Sequence, residues 1–370
     1  DRQEGVIMML ASADKISARQ AIIIFLTAQC SPIIRIVPRD VSRIAGRAGW
    51  LAPLFSMLPF ICLVYIMHLL FKKQKDASLG ELYIKVFGKV IGRVILAFFL
   101  VWFLILTGLY VRYFAERFLS ALLPNTAPVF FYVTMLATVF YAVRGGIVNL
   151  ARTVEYLFYL FTVIFVVLFV LCIPNVQSIN LLPVAQYDII PLIKTIKPIF
   201  GIWGYFSLVF FFGDEINDKE HIRRFGLQGA LYLLMTCVML LIQTIGVYGH
   251  TVIQRIPLPY IVAIKSISLL DTIERIESIA LAFWVFIDFT VISLFAYVVI
   301  SVLKSICSLT EGKNFVSPIV LFALIFAFFL ANDRLELGQF SEHIGLPVNI
   351  IVCFVMPAVL LVVGKLRKII

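Results

Sequence analysis

Residues 17–36 read SARQAIIIFLTAQCSPIIRI, an apolar run about as long as a bilayer is thick, with Gln29-Cys30-Ser31-Pro32 set into its second half. A helix rises about 1.5 Å per residue, so roughly 20 apolar residues cross a hydrocarbon core near 30 Å. Proline has no backbone N–H, so Pro32 withholds one helical hydrogen bond and leaves a carbonyl unpaired. In a membrane, such a freed group is tolerated where it is buried in protein or lines a cavity. The stretch therefore reads as a membrane span with a weak point in its middle. Residues 194–213, KTIKPIFGIWGYFSLVFFFG, repeat the combination with Pro198, Gly201 and Gly204, followed by Tyr205, Phe206 and Ser207.

Working outward from these two, the chain divides into ten apolar runs at about 17–36, 50–71, 94–120, 128–145, 153–173, 194–213, 227–249, 272–303, 315–331 and 346–364, bounded by charge, Gly or Pro. The two weak spans are the first of each group of five, as an inverted repeat with a substrate site between its unwound helices requires. The expected fold is thus all-α and integral to the membrane: about ten transmembrane helices in a five-plus-five inverted repeat, with broken first and sixth helices. Residues 1–14 are expected to be a disordered tail, with Met8 or Met9 as the natural start, and residues 15–370 a single transmembrane transporter-like domain. No small-residue cleavage site follows the first run, so it is expected to remain as a span. A hydrophobic content of 62% with only 14% charged residues leaves too little polar surface for a soluble domain of this size.

The net charge of +10 raises the question of nucleic acid. That reading needs basic residues gathered on a soluble face, and here they lie between spans, so no nucleic-acid partner is expected. With both termini placed in the cytoplasm, the inner connections collect most of the Lys and Arg, which sets the expected orientation. Arg35, Arg39, Arg43 and Arg47 are the exception, falling in the first outer connection at a spacing that aligns them on one helical face. They form either a headgroup-level helix or a docking face for an acidic partner or anionic lipid. The stretch from Ala77 to Arg93 is amphipathic and is expected to lie along the inner interface as an anchor.

Asp288 sits inside the eighth span, where a carboxylate costs roughly 2.5–3.5 kcal/mol on insertion scales, so it should face the bundle. It is either a proton- or cation-linked group, with Thr290 and Ser293 as oxygen ligands, or a hydrogen-bonded structural acid. Arg112, Glu116 and Arg117, the group Glu274, Arg275 and Glu277, and the pair Arg152 and Glu155 are expected to form local or interhelical ion pairs. The cysteines Cys30, Cys62, Cys172, Cys237, Cys307 and Cys353 all lie in apolar segments and are expected to be buried small hydrophobes. Neither they nor the four histidines show metal-site spacing, and phosphate loops, nucleophile elbows and metalloprotease helices are missing. No enzyme activity, cofactor or metal is expected.

A set of ordered motifs carries a resemblance. They are Lys15-Ile16-Ser17-Ala18-Arg19-Gln20, Val37-Pro38, Ala45-Gly46-Arg47 before Trp50-Leu51, Phe87-Gly88-Lys89 with Gly92, and Gly145-Gly146 before Ala151-Arg152-Thr153-Val154-Glu155. Asn180-Leu181-Leu182-Pro183, Pro257 with Leu258-Pro259, and Ile273-Glu274-Arg275-Ile276-Glu277 leading to Trp284 continue the series. In this order and spacing, from Lys15 to about Lys368, the chain resembles the endospore germination permeases, the membrane B subunits of nutrient germinant receptors within the amino acid–polyamine–organocation superfamily. The resemblance implies a transporter-like ten-helix fold and a small nutrient, such as an amino acid, held between the first and sixth helices. It also implies a receptor A subunit and a lipoprotein C subunit as partners, in the spore inner membrane. Carried onto this chain, the pocket falls on Cys30, Ser31, Pro32, Gly201, Gly204, Tyr205, Phe206 and Ser207, with Tyr110 and Tyr113 of the third span. The chain departs from many relatives in having Cys30-Ser31-Pro32 where they have a Gly-Thr or Gly-Ser pair, and in being apolar around Phe206 where they carry an acid. Two other roles compete with the receptor reading: a proton-coupled amino acid transporter, and an ion-conducting or structural subunit without its own ligand.

Overall fold

Ser17 starts the first helix. Its side chain accepts from the backbone N–H of Gln20, and the Gln20 side chain accepts from the backbone N–H of Ser17, a reciprocal cap that satisfies two donors left free at a helix start. The computed structural model describes residues 15–121, 123–267, 277–309, 311–330 and 334–370. The expected tail at 1–14 and the acidic-basic group Glu274 and Arg275 lie outside the described residues, as does the side chain of Glu277.

The helices are α1 (Ala18–Ala45), α2 (Ala52–Phe71), α3 (Leu79–Phe87), α4 (Lys89–Ala121), α5 (Pro128–Arg144), α6 (Ile147–Cys172), α7 (Ile196–Trp203), α8 (Ile222–Tyr248), α9 (Pro259–Lys265), α10 (Glu277–Cys307) and α11 (Val316–Phe329). A last run joins α12 (Arg334–Phe340), α13 (Leu346–Ile350) and α14 (Met356–Leu366) through two π-helical turns, Ser341–Gly345 and Ile351–Val355. Among the described residues, seven helical stretches are long and apolar enough to cross a membrane; the first of them, Ala18–Phe71, contains both α1 and α2, and two shorter apolar helices, Pro128–Arg144 and Lys313–Phe329, complete the ten expected spans. This is a multi-pass membrane protein. Gly88 and Gly146, both at φ +88°, make the sharp turns from α3 into α4 and from α5 into α6, a conformation that side chains with a Cβ resist.

Three expectations change. The first helix is not broken: α1 runs through both Pro32 and Pro38 for 28 residues. Each proline removes only its own donor, and the protein packed around α1 buries most of its side chains, so the flanking helical bonds hold. The first outer connection is consequently short, because α1 continues to Ala45 and a 3₁₀ turn, Gly46–Leu51, leads directly into α2. Among the cysteines, Cys62 and Cys307 are exposed: Cys62 lies on the outer face of α2, and Cys307 closes α10 beside the residues that line the bundle-end recess.

The sixth span does change form. α7 ends at Trp203 and the chain continues as a 3₁₀ helix from Gly204 to Glu215, with Phe212 off the helical region at φ −101°, ψ 33°. A 3₁₀ helix rises about 2.0 Å per residue against 1.5 Å for α, so these residues reach farther, and runs of this length are uncommon and often mark hinges. The end of this segment is tied to the start of α1: Ile16 N–H donates to Glu215 O at 2.9 Å, Asn217 N–H donates to Ile16 O at 2.9 Å, and Ala18 N–H donates to Asp218 Oδ1 at 2.7 Å. One apolar core runs from Ile16 to Ile370 between the spans. The amphipathic α3 turns Leu79, Leu82, Tyr83 and Val86 into that core.

Candidate functional site

The polar residues of the apolar spans converge on one cluster. Asp288 on α10 is 1% exposed; its carboxylate accepts from Ser31 Oγ on α1 and from the Arg117 guanidinium on α4. Trp284, one turn earlier on α10, donates its indole N–H to Ser31 Oγ at 3.3 Å, and the Arg117 guanidinium lies 3.8 Å from the centre of its ring system. Both charged side chains are 1% exposed, so each depends on the other for its charge partner. Both expected kinds of pair, local and interhelical, occur at the end of α4. Arg112 pairs with Glu116 at 2.7 Å, whereas Arg117 turns inward to Asp288. Arg117 Nε and Nη2 find no hydrogen-bond partner among the described residues, and neither does Arg35 Nε.

Beside this cluster lies an aromatic cleft. Arg35 on α1 stacks 3.3 Å from the centre of the Tyr113 ring and 5.7 Å from that of Tyr110, both on α4. Tyr110 and Tyr205 each pack on Phe295 of α10, at 5.1 and 5.2 Å between ring centres. Asn349 of α13 donates to Tyr205 OH at 2.8 Å and accepts from the Trp102 indole N–H at 2.9 Å. Arg35, Tyr110, Gly201, Tyr205 and Asn349 line a cavity of about 30 Å³, roughly the volume of one water in liquid. In this conformation the cleft itself is too small for a nutrient such as an amino acid.

Two larger recesses open at opposite ends of the bundle. At the end remote from the N-terminus of α1, a vestibule of about 560 Å³ is lined by Arg35, Arg39, Asp40, Tyr113, Glu116, Arg117, Arg255 and Glu342, among others. At the other end a recess of about 670 Å³ is lined by Glu81, Lys85, Phe211, Asp214, Ser301 and Lys304, among others. There Lys304 lies 3.3 Å from Glu215 and 3.5 Å from Asp214, and Tyr297 OH donates to Glu215 at 2.7 Å.

Of the residues picked out in the sequence, Tyr110, Gly201 and Tyr205 meet in the cleft, Tyr113 joins them through Arg35, and Ser31 meets Asp288. The others point elsewhere. Cys30 donates to Leu26 O within its own helix, and Pro32 is buried in the packing of α1. Phe206 fills the core against Phe25 and Phe60, and Ser207 donates to Gly204 O. A Cβ placed on Gly204 would lie 3.0 Å from Cys353 Cβ, and one on Gly201 would lie 2.9 Å from the Leu346 side chain. Both glycines therefore permit close approach of the sixth span to the C-terminal run, the usual use of small residues between membrane helices. Thr290 donates back to Phe286 O at 2.9 Å, while buried Ser293 Oγ has no partner among the described residues. No group of His, Cys, Asp or Glu with metal-holding geometry exists among the described residues.

The arginine series does not form one free face. Arg35 is turned into the bundle, Arg43 pairs with Glu342 at 2.6 Å, and Arg47 donates to Leu182 O at 3.1 Å, while Arg39 is exposed at the vestibule. Glu155 likewise pairs across to α1, accepting from Gln20 at 3.0 Å and lying 3.7 Å from Arg19, and not with Arg152. Sequence reasoning missed Arg117, Trp102 and Asn349 as members of the site. Asn349 carried a usable signal as the amide in an otherwise apolar tenth span. Arg117 carried none, because Glu116 offered a nearer partner in sequence.

Ten helical spans with a vestibule at each end and a buried polar cluster between them make a fold that membrane transporters share. A solved structure of Mhp1, a nucleobase-cation-symport-1 family transporter in a closed conformation with bromovinylhydantoin bound, shares this fold with a TM-score of 0.62, covering 94% of this chain and 78% of that one at 12% identity. Residues 15–335 match the family model described as spore germination protein, and the chain belongs to that family. Among its relatives in Bacillus subtilis (strain 168), spore germination protein KB is 21% identical, covering 92% of this chain and 90% of its own. Spore germination protein A2 is 22% identical, covering 96% of each chain, and the putative spore germination protein YfkT is 22% identical, covering 95% of this chain and 97% of its own.

Proposed function

We propose that this chain is the membrane subunit of a nutrient germinant receptor, and that it binds a small nutrient, such as an amino acid, between its first, third, sixth and eighth spans. The observation that carries this reading is the Ser31–Asp288–Arg117 cluster and adjoining Tyr110–Tyr205 cleft, buried beneath a vestibule large enough to admit such a molecule. Family membership supports the germination role, and the transporter fold supports a binding site at this depth. The role is binding, not catalysis. Residues 15–370 act as one transporter-like unit, with both termini in the cytoplasm and the Arg-lined vestibule facing outward in the spore inner membrane. A receptor A subunit and a lipoprotein C subunit read out the change.

Because the cleft holds about one water volume here, the binding-competent state is a different, more open one, and the nutrient acts by favouring it. A ligand that binds only folded protein raises its stability by mass action. Thermal stability of the detergent-purified protein should rise with one or a few compounds from a panel of amino acids, sugars and nucleosides; absence of any shift contradicts the reading. The recess at each end of the bundle favours one alternative, a secondary transporter in which Asp288 carries a proton. Counterflow of the labelled nutrient in vesicles separates them, since a sensor need not turn over.

A further inference from the structure

The floor of the outward vestibule holds more buried donors than the protein itself uses. Arg117 is 3% exposed and spends Nη1 on Asp288, leaving Nε and Nη2 without a partner among the described residues. Arg35 Nε is in the same condition, and its guanidinium is held flat over the Tyr113 ring. Buried donors left unpaired are costly, so a native protein that keeps them has a use for them.

The charges at the floor do not balance either. Glu116 is taken by Arg112 and Glu342 by Arg43, which leaves Asp40 on the lining, with Asp288 behind it, against Arg35, Arg39, Arg117 and Arg255. An added negative charge would reduce that excess. The unused edge of a guanidinium presents two N–H groups in a plane, a geometry that a carboxylate matches with two parallel hydrogen bonds. The adjoining cleft, walled by Tyr110, Tyr205 and Gly201, offers a mainly apolar and aromatic surface for the remainder of a small molecule.

We infer that the vestibule floor is a carboxylate-recognition site, in which the N–H groups of Arg117 and Arg35 that have no partner among the described residues bind the carboxylate of a small, singly negative or zwitterionic nutrient. This deepens the receptor reading and rests on it. A ligand carboxylate on Arg117 Nε and Nη2 leaves the Nη1 bond to Asp288 in place and adds a second anion to the guanidinium that ties α4 to α10 and, through Asp288 and Ser31, to α1.

The test compares acids with their amides on the detergent-purified full chain: L-alanine with L-alaninamide, L-proline with L-prolinamide, and propanoate with propanamide, beside glucose, inosine and inorganic phosphate. Thermal stability is read against concentration. The expected result is stabilisation by a carboxylate and none by its amide. In Arg35→Gln, a charge-assisted bond is lost and the apparent affinity should fall about tenfold to a hundredfold. Arg35→Lys, which keeps the charge but loses the fork, should fall in between. An amide as protective as its acid, protection by glucose, inosine or phosphate alone, or an Arg35→Gln affinity equal to that of the unmodified chain would each overturn carboxylate recognition while leaving a nutrient receptor intact. Failure of every compound would overturn both. The acid–amide comparison on the unmodified chain decides even if Arg35→Gln does not fold.

Discussion

The first span carries two prolines and stays α-helical for 28 residues, whereas the sixth carries none between Gly204 and Glu215 and yet tightens into a 3₁₀ helix. The contrast shows that a missing donor is not what deforms a membrane helix here. α1 is held along its length by polar ties to other elements: Gln20 to Glu155, Ser31 to Asp288, and Arg43 to Glu342. The 3₁₀ segment is held by rings. Phe206 packs on Phe25 and Phe60, Phe210 on Phe71, Phe211 on Phe99 and Phe103, and Phe212 on Tyr297, so successive side chains reach α1, α2, α4 and α10 in turn. The end of the segment is tied at Glu215 to α10 and to Ile16, so the ring-packed stretch between Phe206 and Phe212 is the part of the sixth span expected to shift against α1.

Substitutions that probe this contrast differ in size. Arg117→Met strands the Asp288 carboxylate in the core and should cost about 3–5 kcal/mol in an unfolding measurement, while Arg117→Met with Asp288→Leu should recover most of that loss. If the single variant is nearly neutral, α1 is not anchored through this cluster. Gly204→Leu places a side chain where Cys353 already sits and should cost about 1–3 kcal/mol by overpacking, with the loss confined to the sixth span against the C-terminal run. Tyr297→Phe removes the hydrogen bond to Glu215 at the end of the 3₁₀ segment and should cost about 0.5–1.5 kcal/mol, leaving α1 unaffected. Pro32→Ala restores one donor to a helix that is already regular and should leave stability unchanged or raise it by up to about 1 kcal/mol. A larger loss would mean that the proline shapes α1 after all.

Much of this architecture was legible in the chain, because span length and apolar content answer directly to bilayer thickness. The spans read at 50–71 and 128–145 appear as α2 and α5 within a residue or two of their expected ends. Asp288 was legible as inward-facing for the same reason, a charge too expensive to leave in lipid. What was not legible depended on helix rotation and on pairs distant in sequence. Arg35 belongs to a four-residue series that looked like one solvated face, and only its contact with Tyr113 of α4 in the folded chain sets it apart. Arg117 meets an acid 171 positions away in preference to neighbouring Glu116. The proline signal at Pro32 was read as a break because proline weakens isolated helices, and the surrounding protein supplied what the helix lacked. Gly204 looked like a pocket residue and is a contact point for the π turn after α13, while Gly201 lines the cleft and also meets α13.

Backbone amide hydrogen exchange on the detergent-solubilised chain, with and without the stabilising nutrient, addresses the contrast between the two spans most directly. Residues 204–215 should exchange faster than residues 18–45 in the free protein, and nutrient should change protection chiefly in 204–215. Equal protection of the two segments, or a nutrient response confined to residues 18–45, would contradict the assignment of the sixth span as the moving element.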